Sequence, residues 1–182
     1  MEPSRPNPTP SGSPPIDPLP GTAPGASPAR RIGLKKVLVP VDFSGSARKA
    51  LDYGLAFAEQ FQASLTLLHV IELSFLGSGL GEIEVPLLET ELRQNAGQQL
   101  DRLMAEVVAN RVPCETEVAV GRPWQEITEA AKAREVDLIV MGTHGYTGLR
   151  HVVMGSTAER VVRHAACPVL VVREREHEFV AA

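Results

Sequence analysis

From Lys35 onward, short continuous apolar runs alternate with segments whose apolar residues recur every three or four positions. The run "KKVLVPVDF" is rich in β-branched residues and is closed by Pro40, which predicts a first strand. In the segment that follows, "SGSARKALDYGLAFAEQF", Ala47, Ala50, Leu51, Gly54, Leu55 and Ala58 fall on one helical stripe, with Ser44 or Ser46 suited to cap its start. "ASLTLLHVIEL" is apolar without alternation, as a parallel strand covered on both faces must be. A second, longer helix is predicted to turn Leu88, Leu92, Ala96, Leu100, Leu103 and Val107 inward. "VPCETEVAVG" alternates and so predicts a strand nearer a sheet edge. Gly121 and Pro123 turn the chain into a short helix, with Pro123 in the first turn, where its missing N–H costs nothing. "VDLIVMG" predicts a fourth strand, a helix runs from about Ser156 to His164, and "CPVLVV" predicts a fifth strand.

This strict alternation of strand and helix implies an α/β fold. Right-handed crossovers leave few topologies, and the one expected is a doubly wound, five-stranded parallel sheet of order 3-2-1-4-5 with helices on both faces. The expected domain spans residues 35–173. Residues 1–34 differ in kind: the first thirty hold ten of the fifteen prolines and almost no large apolar side chains, so a disordered tail is expected. The charged end, residues 174–182, is expected to fray. Trp124, the single tryptophan, reads as a packing residue.

Bulk composition narrows the function classes. A net charge of −4 and a pI near 5.8 supply no basic field for nucleic acid. No apolar run is long enough to span a bilayer, and no basic stretch followed by an apolar one marks a secretory leader. Cys114 and Cys167 lack metal-ligand spacing and sit in apolar segments, which suits burial in a reducing, cytoplasmic protein.

The candidate chemistry lies in "GTHGYTGLRHVVMGST", from Gly142 to Thr157. In an open parallel sheet, ligands sit beyond the carboxyl ends of the strands where strand order reverses, here between strands one and four. "PVDFS" and "GTHGYTG" would face each other across that crevice. Gly142 and Gly145 would let backbone N–H groups approach a ligand, and Gly155 would do the same at the next helix. Ser156 and Thr157 then lie at a helix N-terminus that favours phosphate oxygens. A second explanation stands beside this one, because "STAE" from Ser156 to Glu159 also fits a capping box. Neither G-x-x-x-x-G-K-[ST] nor G-x-G-x-x-G after the first strand is present, which disfavours a P-loop ATPase and a dinucleotide dehydrogenase. Gly77, Gly79 and Gly81 lead into a proline and read as flexibility. His144 and His151 have no carboxylate or cysteine to complete a metal set, so no metal is assigned.

The pattern G-x-x-G, nine residues, G-[ST], with "VLVPVDFS", "LLHV" and "AERVVRHAACPVLVV", resembles the universal stress protein family over about Lys35 to Arg173. The resemblance is to its ATP-binding branch, an adenine-nucleotide α-hydrolase-like, Rossmann-like sandwich. It implies ATP as ligand, with any magnesium ion carried by the nucleotide, and a homodimer formed through the last strand. It implies that Asp42 accepts hydrogen bonds from ribose, with Pro40 and Val41 shaping the wall and Val70 meeting the adenine. Met141 and Gly142 would line the base and ribose side, and Gly145, Gly155, Ser156 and Thr157 would hold the phosphates, with His144 in the same binding loop. Tyr146 departs from the basic residue frequent after the second glycine of this family. The function expected is a nucleotide-sensing regulatory module in stress response. The alternative is a nucleotide-independent dimeric interaction or chaperone-like protein whose glycine loop serves the fold alone. The loops offer no carboxylate placed to orient a water, so catalysis beyond slow ATP hydrolysis is not expected.

Overall fold

A computed structural model of the chain describes residues 32–73, 84–143, 154–173 and Val180. Residues 1–31 of the expected tail, the glycines at 77, 79 and 81, the loop residues His144, Gly145, Tyr146, Arg150 and His151, and residues 174–179 and 181–182 of the charged end lie outside these, whereas Leu34, at the expected tail's inner limit, is buried in the core.

Strands β1 (Lys36–Pro40), β2 (Ser64–Ile71), β3 (Cys114–Val120), β4 (Leu138–Gly142) and β5 (Val169–Val172) alternate with helices α1 (Gly45–Phe61), α2 (Glu84–Leu103), α3 (Pro123–Ala133) and α4 (Ser156–His164). All strands are parallel in the order β3-β2-β1-β4-β5, as the alternation predicts. The alternating strand, β3, is an edge strand, and β5 forms the other edge.

Two apolar layers cover the sheet. Val37, Val39, Leu65 and Leu67 pack with the buried stripe of α1, including Ala50, Leu51 and Leu55. Leu38, Leu68, Ile139 and Met141 point to the opposite face and pack with Ile127 and Ala131 of α3 and Ala158 and Val161 of α4. Neighbouring residues such as Leu67 and Leu68 thus belong to different layers, which is the period-two geometry of a strand and explains why β2 carries no polar alternation.

The central pair is pinned by a side chain. Asp137 Oδ2 accepts hydrogen bonds from the backbone N–H groups of Lys35 (2.8 Å) and Lys36 (2.9 Å), and the Asp137 N–H donates to the Lys36 carbonyl (3.0 Å). This fixes β1 against β4 with Val37 opposite Leu138. α2 departs from the expected single helix. It passes into a π-helical turn at Met104–Val108, which the Ala109 N–H closes onto the Met104 carbonyl at 3.0 Å. The wider turn brings two successive residues, Val107 and Val108, into the core where one was expected.

Candidate functional site

The chain leaves β1 toward β2 on one side and leaves β4 toward β5 on the other, so the carboxyl ends of β1 and β4 flank the point where strand order reverses. A cavity of about 400 Å³ opens there. Of the eleven residues singled out from sequence, nine line it: Pro40, Val41, Asp42, Val70, Met141, Gly142, Gly155, Ser156 and Thr157. His144 and Gly145 fall outside the described residues.

The β1 side is built on a tight turn. The Val41 N–H donates to the Leu68 carbonyl at 2.8 Å, continuing the β1–β2 ladder one residue past the strand. Asp42 Oδ1 then accepts from the Ser44 N–H (3.1 Å) and from the Ser44 hydroxyl (2.6 Å), an Asx-type turn that orients the carboxylate. The Ser44 Oγ accepts from the Ala47 N–H at 3.2 Å, which makes Ser44, of the two serines suited to the role, the cap of α1. Asp42 is therefore a turn residue and a cavity residue at once.

The β4 side is held by backbone bonds. The Thr143 N–H donates to the Val172 carbonyl (3.0 Å), and the Gly155 N–H donates to the Thr143 carbonyl (2.8 Å), so the start of α4 is tied to the end of β4. Gly142 has a packing reason that sequence alone did not show: a Cβ there would lie 2.8 Å from Ser46 Oγ and 3.0 Å from the Ser46 carbonyl carbon. Only glycine lets β4 end this close to the first turn of α1.

At α4 the capping-box expectation is not met. Gly155, not Ser156, occupies the N-cap, and no side chain caps the helix. Glu159 pairs with Arg163 one turn on, at 2.6 Å, instead of reaching back. Ser156 is the first helical residue, so its hydroxyl cannot act as the N-cap acceptor. Gly155, Ser156, Thr157 and Ala158 all face the cavity, and the free N–H groups of this first turn supply its positive potential. No Lys or Arg is among the described residues lining it. Among the described lining residues the carboxylates, Asp42 and Glu72, follow β1 and β2, whereas the N–H groups of α4 follow β4, so acceptors and donors reach the cavity from different strands.

Several lining residues escaped the sequence reading. Glu72 lies two residues beyond Val70, itself two beyond Leu68, and all three line the cavity. The period-two rule, applied past the last apolar residue, would have found it. Pro123 and Ile127, one helical turn apart on α3, close another wall and carry no polar signal by which to be noticed. Trp124 packs, as expected, against the layer that holds α3 and α4, with its ring 5.2 Å from that of His164.

The universal stress protein family model matches residues 33–173. The chain belongs to the universal stress protein family. Universal stress protein MJ0531 of Methanocaldococcus jannaschii is 34% identical over 144 residues, covering 79% of this chain and 85% of its own length. The structure of universal stress protein UspA from Lactobacillus plantarum is 34% identical, covers 79% of this chain and all of its own, and superposes with a TM-score of 0.69. Two more distant structures share the fold at TM-scores of 0.55: a universal stress protein in complex with cAMP (20% identical) and one from Archaeoglobus fulgidus in complex with dAMP (19% identical). They cover 79% and 78% of this chain and 100% and 99% of their own. Among the described residues no helix is long and apolar enough to cross a membrane.

Proposed function

We propose that this universal stress protein binds ATP in the cavity between β1 and β4 and acts as a nucleotide-sensing regulatory module, assembled as a homodimer through β5. The observation that carries the reading is the uncapped first turn of α4, opening onto the cavity where strand order reverses. A capping box at "STAE" would have placed the Ser156 hydroxyl on those N–H groups; with Gly155 at the cap they stay open to a ligand. The cavity's polarity sets the direction of binding: the phosphates go to Gly155, Ser156 and Thr157, and the ribose hydroxyls donate to Asp42. Val70, Met141 and Gly142 then line the base and ribose. Gly145 and His144 complete the phosphate side, and a magnesium ion, where present, arrives with the nucleotide. Universal stress proteins of the same fold that hold cAMP and dAMP support the adenine mononucleotide as the ligand class.

Gly155→Asp tests this directly. Gly155 has φ −69° and ψ 154°, which any residue adopts, and an aspartate there would bond to the free N–H groups itself. The expected result is an unchanged or slightly raised melting temperature with a loss of ATP affinity of at least about tenfold, roughly 1.4 kcal/mol, by isothermal titration. A folded wild-type chain that takes up no ATP at millimolar concentration would remove the proposal.

A further inference from the structure

His69 belongs to no wall of the cavity, yet it is the residue that ties the Asp42 turn to the sheet. Its Nδ1 lies 2.7 Å from the Val41 carbonyl oxygen. That oxygen can only accept, so Nδ1 carries the proton and donates. The Val41 N–H is already bonded to Leu68, so both backbone groups of the residue before Asp42 are held by successive residues of β2. The ring of Phe43, the residue after Asp42, sits 4.7 Å from the His69 ring at 34°. Phe43 has φ +62°, a conformation that a bulky side chain adopts only when its surroundings enforce it. The imidazole thus holds Asp42 from both sides in sequence, by a hydrogen bond on one and by ring contact on the other.

We infer that His69 is a positioning residue for nucleotide binding: it sets the Val41–Ser44 turn and thereby aims the Asp42 carboxylate at the ribose. The inference rests on the proposed role of Asp42, but its first two tests need no nucleotide. In the unmodified chain, ¹⁵N shifts of the His69 ring report the Nδ1–H tautomer; finding the Nε2–H form instead would overturn the clamp. Hydrogen exchange in nucleotide-free protein then compares His69→Leu, which removes the donor, with His69→Asn, whose amide nitrogen stands where Nδ1 stood. Exchange over residues 41–46 is expected to quicken about tenfold in the Leu variant, with β5 unaffected, and to return to the wild-type rate in the Asn variant. Equal exchange in all three forms refutes the inference.

The functional consequence appears in the affinity ratio of ATP to 2′,3′-dideoxyATP. That ratio is expected to fall toward one in His69→Leu and to recover in His69→Asn, whereas general destabilisation would weaken both ligands alike. A wild-type protein that binds neither ligand defeats the proposed function and leaves the clamp to be decided by tautomer and exchange. A wild type that binds ATP, with an unchanged ratio in the Leu variant, defeats the positioning role alone.

Discussion

Asp42 was singled out in the sequence through the family resemblance carried by "VLVPVDFS", and the structure places it both in a turn and on the cavity wall. Its Oδ1 makes the turn with Ser44. The neighbours that position it were not legible. A left-handed Phe43 and a ring-to-carbonyl bond from His69 depend on through-space contacts that no local pattern encodes. Cys114 shows what burial beside a carboxylate does to a single group. The thiol is half-buried on the edge strand, and burial, reinforced by the Glu115 carboxylate, pushes its pKa up from around 9 to about 11. The thiol form is therefore favoured in the folded state more than in the unfolded state. The associated stability is fully present below pH 9 and is lost as pH rises from 9 toward 11. Urea midpoints measured across that window are expected to fall more steeply for the wild type than for Cys114→Ala. Parallel slopes would show that the thiol contributes nothing. The same burial makes this cysteine slow toward alkylating agents near neutral pH, because the thiolate is the reactive form.

At the scale of elements, hydrophobic periodicity located each strand and α-helix of the described residues, and the six-residue stripe expected on α1 is buried in full. What periodicity could not supply is how a helix ends. α2 widens into its π-turn, and α1 closes with Gln62 in the left-handed region at φ 55°. There the Ala63 N–H reaches the Ala58 carbonyl at 2.8 Å and the Gln62 N–H reaches Glu59 at 3.3 Å, a Schellman arrangement whose left-handed position is usually glycine. Gln62 is exposed, and its side chain gives nothing evident in return for the backbone conformation. Gln62→Gly is expected to stabilise the protein by roughly 0.5–1 kcal/mol, the left-handed penalty less the added freedom of glycine in the unfolded chain. For a domain of this size that is a rise of about 2–4 °C in melting temperature per kcal/mol. A drop on calorimetry would mean that the Gln62 side chain contributes a contact of its own. The start of α4 carries the opposite lesson. "STAE" also fits a capping box, but the helix begins at Ser156, as its periodicity predicts, so Gly155 takes the cap position with its N–H tied to the Thr143 carbonyl.

For the whole molecule, the parallel order leaves two edges, and β5 is the one to which the proposed dimer assigns a partner. The register says which backbone groups are free for it. The Ile139 N–H donates to the Pro168 carbonyl and the Thr143 N–H to the Val172 carbonyl, both at 3.0 Å. In a parallel ladder, alternate residues face the same neighbour, so Pro168, Leu170 and Val172 bond toward β4 while Val169 and Val171 turn their N–H and C=O groups to the outer edge. Val171→Pro would delete one outward donor without removing a bond to β4, and a proline is tolerated at such an edge position. Light scattering is expected to report a wild-type particle of two 19.6 kDa chains and a Val171→Pro protein reduced to single chains at the same concentration. Nucleotide affinity should change little, because the cavity lies at the strand ends and its described lining includes no residue of β5. A proline variant that stays dimeric would place the contact elsewhere on the molecule. One that becomes monomeric and also loses ATP would mean that the second subunit completes the site, which would tie nucleotide sensing to assembly.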